Sequence, residues 1–366
     1  MIRRNAVRAE AVRLRAFFEA AGAQPVETDI LQPADTLLDL YGEDIRARAY
    51  VTSDLLHGER MLRPDFTVPV ARMHMSNEIE TARYTYAGEV FRKQEINENR
   101  ATEYLQVGYE IFDGLDDAAA DAEVFALFHE ALAHLELTAA TGDIGILTAA
   151  VHDLDTTERR KGALLRHIWR PQRFRDLLNR FAGRTPVTET HRNLMTGEID
   201  ALIGTAGPQI GLRGAHEVAA CVEALRRDAA EPPISETQVD MLDALLSIET
   251  SATDALRHLR DAVVDHSHLS EAVERFARRL EALSGRGIDV EKLAFEASYG
   301  RTQMEYYDGF VFGFYADDRP DLPPVANGGR YDALCRILGR GRLTPAVGGV
   351  IRPASVLSRL QRMSAA

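Results

Sequence analysis

Residues 84–112, YTYAGEVFRKQEINENRATEYLQVGYEIF, hold two strand-like segments on either side of a charged loop. Side chains alternate faces along a strand, so Tyr104, Gln106, Gly108 and Glu110 share one face and Leu105, Val107, Tyr109 and Ile111 the other. If the apolar face is buried on helices, a glutamine and a glutamate remain on the opposite face, facing Arg92. Acceptors set against a guanidinium suit an amino acid or a phosphate. The pair predicts a sheet with helices on one side and a polar pocket on the other.

Working outward, Ala6 to Ala21 has helical periodicity and stops at Gly22. Arg46 to Ser53 reads as a strand ending in a turn at 56–59. In LRPDFTVPVAR, Arg63 and Pro64 lead into a helix from Thr67, with Asp65 near its start. Asp116 to Leu137 is the strongest helical pattern, opening on acidic residues, and a strand is expected over Gly142 to Leu147. Residues 153–285 change texture. Six segments of helical period, Arg159–Trp169, Arg173–Phe181, Glu217–Arg227, Gln238–Ser247, Thr253–Val264 and Glu271–Leu283, are broken at Gly and Pro. This predicts a helical insertion, residues 153–285, in a core formed by 1–152 and 286–366. No fixed period suggests a solenoid. Strand character returns in EYYDGFVFGFYADD (305–318), followed by NGGRYDAL (327–334) and AVGGVIRPASVLSRL (346–360).

Composition restricts the function classes. The 366 residues are 45% hydrophobic, enough for one large core or two domains. A net charge of -13 disfavours broad contact with nucleic-acid phosphates. Cys221 and Cys335 lie far apart, outside any metal-ligand spacing, which suits a reducing cytosol and gives no disulfide framework. The amphipathic N-terminus lacks a signal-peptide core, and no apolar run is long enough to span a bilayer.

Several features have two readings at this stage. Asn327 to Arg330 could cradle a ligand with backbone amides or form a Gly-Gly turn between strand and helix. Tyr306-Tyr307 fits core packing or a ligand wall. His129 and His134 are five apart, off the spacing of a shared metal face, and no histidine is assigned a catalytic or metal role. Arg336 to Arg342 reads as a solvated loop, and Cys335 as a buried small apolar residue.

Taken in order, LRPDFTVPVAR, the YAGEVFRKQE and QVGYEIF pair, EYYDGFVF and NGGRYDAL resemble the motifs of histidyl-tRNA synthetase. The resemblance covers most of the chain outside the insertion. It implies an α+β class II aminoacyl-tRNA synthetase-like antiparallel sheet flanked by helices, usually in a homodimer. It also implies that Asp65, Thr67, Gln106 and Glu110 hold the amino group and polar atoms of a bound histidine. Tyr306 and Tyr331 would line the imidazole pocket, and Arg92 matches the motif 2 arginine that contacts ATP phosphate and the aminoacyl carboxylate. Arg100, Tyr307 and Arg330 stand at further positions around that pocket. The chemistry agrees: an ammonium needs acceptors, a carboxylate favours a guanidinium, and imidazole suits tyrosine hydroxyls and a glutamate.

The departures are as informative. An ungapped match of the motif 3 segment puts Ser355 where the synthetases carry the arginine that grips the ATP γ-phosphate. Their Arg-Gly-Leu-Asp-Tyr-Tyr run aligns with Thr302 to Tyr307, leaving Arg301 one residue out of register. Losing these cations should cost orders of magnitude in adenylyl transfer, which relies on electrostatic stabilisation. Too few residues follow motif 3 for an anticodon-binding domain, so tRNA is not expected as a partner. Asp29 also stands where the motif 1 proline would be.

This combination resembles the regulatory subunit family of short-form ATP phosphoribosyltransferase. That resemblance implies a cytoplasmic, non-catalytic chain without cofactor or metal, which assembles with a catalytic partner into a hetero-octamer. It would be needed for the partner's activity and would transmit feedback inhibition by L-histidine. Two other readings stay open here: an amino-acid-activating enzyme of the synthetase type, and a binding module that senses histidine or serves protein contacts alone.

Overall fold

The computed structural model describes residues 2–35, 48–77, 79–93, 101–205, 207–208, 210, 212–263, 267–299, 306–319 and 322–365. Helix α1 (Arg4–Ala20) precedes strands β1 (Gln24–Pro25), β2 (Leu31–Pro33), β3 (Val51–Asp54) and β4 (Gly58–Leu62). Next come α2 (Thr67–Ser76), β5 (Ala82–Phe91), β6 (Glu103–Phe112), α3 (Asp117–Leu132), β7 (Thr138–Asp143) and α4 (Ile144–His152). Six helices follow: α5 (Glu158–Arg166), α6 (Pro171–Phe181), α7 (Glu189–Thr196), α8 (Ile199–Thr205), α9 (Ala215–Ala230) and α10 (Glu236–Leu246). The chain continues with β8 (Glu249–Ser251), α11 (Ala252–Ala262), α12 (Ser267–Gly285), β9 (Ala294–Glu296), β10 (Phe310–Tyr315) and β11 (Ala326–Arg330). It closes with α13 (Asp332–Leu338), β12 (Ala346–Ile351) and α14 (Pro353–Met363).

One sheet has nine strands in the order β1-β5-β6-β12-β11-β10-β7-β9-β8, and β2, β4 and β3 form a small second sheet. The pairings from β5 to β7 are all antiparallel, as expected for a class II synthetase-like core, while β1 joins β5 and β9 joins β7 in parallel. β5 and β6 pair over their whole length, from Ala82 opposite Phe112 to Phe91 opposite Glu103.

The alternation in β6 has its expected result. Tyr109 meets Phe18 of α1 at a 5.2 Å ring separation, and its hydroxyl donates to Glu123 of α3 at 2.7 Å. Phe125 and Phe128 of α3 pack on Phe312 of β10 at 5.6 and 5.5 Å, extending the same core face across the sheet. Burying these aromatic rings contributes apolar stabilisation to the sheet.

Three expectations change. The segment read as a strand over Gly142 to Leu147 is divided: β7 ends at Asp143 and α4 begins at Ile144, with Asp143 Oδ1 accepting from the Gly145 N–H at 2.8 Å. Asn327 to Arg330 is buried strand, neither a ligand-binding loop nor a turn. The compact helical unit spans Ala150–Ala244, and residues 245–285 belong with the first unit, Met1–Ala149 and Leu245–Ala366. β8 is the outermost strand of the large sheet. Arg279 of α12 is buried with Nε on Asp121 Oδ2 and Nη1 on Asp143 Oδ2, both at 2.7 Å, which fastens that helix to α3 and β7.

The helical unit has its own core, including Leu164, Phe174, Leu178, Phe181, Val239 and Leu242. Arg160 is buried there and donates to the Pro232 carbonyl at 2.7 Å and to the Asp228 carboxylate at 3.2 Å.

Candidate functional site

Register places the pocket side chains. On the polar face of β6, Glu110 lies opposite Tyr84 of β5 and Gly348 of β12, and Gly108 lies opposite Tyr86 and Val350. Glu110 is completely buried, and a lone carboxylate there would be strongly disfavoured. Three hydroxyls surround it: Tyr331 donates to Oε2 at 2.6 Å, and Tyr86 and Thr67 donate to Oε1 at 2.8 and 3.1 Å. Burial pushes the Glu110 carboxyl up to about 7; the three donors oppose that shift, while the nearby Asp65 charge adds to it. Tyr86 and Tyr331 are pushed well above the usual phenol range by burial and then by Glu110, so both hydroxyls remain protonated donors.

Two glycines make this arrangement possible. A Cβ on Gly348 would lie 1.6 Å from Glu110 Oε2, and one on Gly108 would lie 2.1 Å from the Tyr86 ring. The wall beyond is layered: Phe66 stacks on Tyr86 at 4.3 Å, and the Arg63 guanidinium sits 4.0 Å over Phe66. Arg63 is fixed by bonds to the carbonyls of Glu89 at 2.8 Å and Thr28 at 2.5 Å.

The sequence-predicted residues divide into groups. Thr67, Glu110 and Tyr331 meet directly. Tyr306 joins them, its ring 6.1 Å from Tyr331 and 4.9 Å from Tyr307. Tyr307 is buried, and burial, Glu110 and Asp65 all raise its phenol. Asp65 accepts from the Val68 N–H at 3.3 Å at the start of α2. Gln106 is 1% exposed, and among the described residues its Oε1 has no hydrogen-bond partner. Arg92 follows the end of β5 and donates from Nε to the Pro64 carbonyl at 2.7 Å.

Arg330 does not belong to this pocket. It is on the helix face, where Nη2 bonds Asp121 Oδ1 at 2.7 Å and Nη1 reaches Asp332 at 3.1 Å. Alternation explains this: its neighbour Tyr331 turns to Glu110, so Arg330 turns to α3. Arg100 and the 301–305 run lie outside the described residues. Ser355 is in the first turn of α14, its N–H on the Arg352 carbonyl at 2.9 Å.

Sequence reasoning missed Tyr86, Phe66, Gly348 and Arg352, and weighed Asn327 only for the backbone amides of its run. Tyr86 follows Tyr84 at the strand spacing of two, a signal used for β6 but not for β5. Asn327, opposite Val350, is buried on the pocket face, and its Oδ1 has no partner among the described residues. No group of three or more His, Cys, Asp or Glu side chains among the described residues is arranged to hold a metal ion. Among them, too, no helix is long and apolar enough to cross a membrane.

The face around Glu110 therefore combines a buried carboxyl raised to about 7, three hydroxyls, amide acceptors without partners among the described residues and the nearby Arg92, which suits a small ligand with donors and a negative group. The family model described as histidyl-tRNA synthetase matches residues 3–225 and 215–356. A Brucella anthropi protein named ATP phosphoribosyltransferase regulatory subunit is 30% identical over 354 residues, covering 92% of this chain and 93% of its own. One of the same name from Brucella canis is 31% identical over 378 residues, covering 96% of each. Among solved structures, an ATP phosphoribosyltransferase regulatory subunit/histidyl-tRNA synthetase from Bacillus halodurans superposes with a TM-score of 0.68 at 21% identity, covering 97% of this chain and 79% of that one. A histidine–tRNA ligase subunit from Alicyclobacillus acidocaldarius gives 0.60 at 24% identity, covering 98% and 94%.

Proposed function

The chain belongs to the histidyl-tRNA synthetase family, among the ATP phosphoribosyltransferase regulatory subunits, and from that premise we propose that it is a non-catalytic regulatory chain of histidine biosynthesis that senses L-histidine. The observation that carries this reading is the Glu110 constellation, a buried carboxyl held by Tyr331, Tyr86 and Thr67, in a chain with Ser355 at the motif 3 arginine position. Recognition groups are retained, and a cation needed for adenylyl transfer is replaced.

In this reading the chain forms homodimers and joins a short catalytic ATP phosphoribosyltransferase in a cytoplasmic hetero-octamer. The partner depends on it for activity, and histidine in the Glu110 pocket favours a less active assembly state. Histidine must bind that state more tightly for inhibition to follow; a coupling of about 1–3 kcal/mol gives roughly 5- to 150-fold inhibition.

The test is reconstitution. A purified short catalytic chain is assayed for phosphoribosyl-ATP formation alone, with this chain, and with this chain plus histidine. Activation by the chain and its reversal by millimolar histidine are expected. No activation sinks the regulatory role; activation that histidine leaves untouched sinks the sensor role. Histidine-dependent ATP–pyrophosphate exchange by the isolated chain would instead make it an activating enzyme.

A further inference from the structure

Arg352 stands at the glycine position of the Gly-Leu-Glu-Arg pattern in the motif 3 match, three residues before Ser355, where the motif carries no side chain. Its place follows from register. β12 pairs with β6 from Gly348 opposite Glu110 to Ile351 opposite Val107, so the next step sets Arg352 beside Gln106, on the same sheet face as Glu110. Four residues of strand, about 13 Å, separate the Gln106 and Glu110 rows.

The Arg352 guanidinium is anchored, and among the described residues no carboxylate pairs with it. Nη1 donates to the Pro324 carbonyl at 2.7 Å, and the side chain also bonds Tyr104. Burial and the nearby positive charge of Arg92 both weaken its hold on its proton, so two cations meet at this end of the slot. Tyr307 links the ends, since its phenol is within electrostatic reach of both Glu110 and Arg352. Gln106 Oε1 and Asn327 Oδ1, buried on this face without partners among the described residues, call for a donor from a ligand. The slot thus runs from a carboxyl with hydroxyls, past unfilled amide acceptors, to a pair of guanidinium groups.

We propose that Arg352 clamps the ligand's α-carboxylate, so that the site takes a free amino acid and rejects the same molecule with its carboxyl reduced, amidated or esterified. This rests on the histidine-site reading and adds to it a residue and a chemical demand. A ring with donor and acceptor nitrogens sits at Glu110, the ammonium at the amide oxygens, and the carboxylate at Arg352 with Arg92. The synthetase-type run at 302–307 has lost its arginine in sequence, and Arg352 is a cation that the synthetase motif does not carry. A carboxylate gripped in this way carries no leaving group and no nucleotide, which fits detection of an end product.

The test titrates the full-length chain by calorimetry with L-histidine, L-histidinol and L-histidinamide, then repeats this with Arg352→Gln and Arg352→Lys. The wild type should bind histidine at least about 10-fold more tightly than histidinol or the amide. Arg352→Gln should lose about 10- to 100-fold for histidine with little change for histidinol, as expected for a charge-assisted hydrogen bond. Arg352→Lys should retain part of the preference. Equal wild-type affinity for the three ligands overturns the clamp without needing any variant, and so does an equal loss for histidine and histidinol in Arg352→Gln. If the wild type binds none of the three, the histidine-site reading fails with it, and this shows in the wild-type titrations alone.

Discussion

The Tyr331 hydroxyl donates to Oε2 of Glu110 at 2.6 Å, joining the first residue after β11 to the C-terminal part of β6 across the width of β12. The bond closes the pocket floor and keeps one carboxylate oxygen oriented. A hydrogen bond to a charged group contributes about 1.5–3 kcal/mol. Tyr331→Phe should therefore weaken histidine binding about 10- to 100-fold at pH 7.5 while far-ultraviolet circular dichroism stays unchanged. Unaltered affinity by calorimetry would remove Glu110 from the site.

Glu110 also makes stability depend on pH. Its carboxyl is raised from an ordinary 4.5 to about 7 in the fold, so the folded state holds the proton more tightly than the unfolded chain. The resulting stabilisation is fully present below pH 4.5 and is lost as pH rises through about 7. At most, about 3 kcal/mol changes over that window. Glu110→Gln does not titrate there, so its melting temperature should gain on the wild type between pH 5 and 8. Parallel melting curves for the two proteins would refute the shift.

Gly348 tests the geometry without removing a polar group. A Cβ there would lie 1.6 Å from Glu110 Oε2 and 2.7 Å from the Tyr109 carbonyl oxygen, so the carboxylate would be displaced and the backbone would have to shift. Gly348→Ala should cost about 1–3 kcal/mol of stability through overpacking and should abolish the histidine-induced rise in melting temperature. A folded variant with normal histidine affinity would place the ligand elsewhere.

How much the sequence revealed depended on how local the deciding interaction was. The polar face of β6 was legible because alternation is a local rule and Gln106, Gly108 and Glu110 obey it. Gly142 to Leu147 was misread because a short apolar run has no period that separates strand from buried helix; Asp143, accepting from Gly145, makes the switch. Arg330 was misplaced because its family motif was read without regard to facing. Arg352 was overlooked because its position on the pocket face depends on the register of β12 against β6. The boundary at 245 was out of reach for the same kind of reason, since the contacts of residues 245–285 with the first unit are non-local: β8 pairs with β9, and Arg279 enters an ion cluster with residues more than a hundred positions away.

That cluster yields the last prediction. Arg279 is 5% exposed and shared between Asp121, at 1%, and Asp143, at 5%; Asp121 also receives Arg330. Burial opposes the Arg279 charge, but the two carboxylates more than offset it and raise its affinity for its proton. Arg279→Ala leaves Asp143 without its cation in a dry site, which costs about 3–5 kcal/mol for a broken buried pair. Asp143→Asn removes the stranded charge, so the double variant should recover part of the loss, a coupling that urea unfolding of the four proteins measures. Because Arg279 ties α12 to both α3 and β7, amide exchange in α12 should accelerate before exchange in β6. Uniform acceleration across the sheet would mean that the cluster supports the whole core and does not specifically fasten this helix.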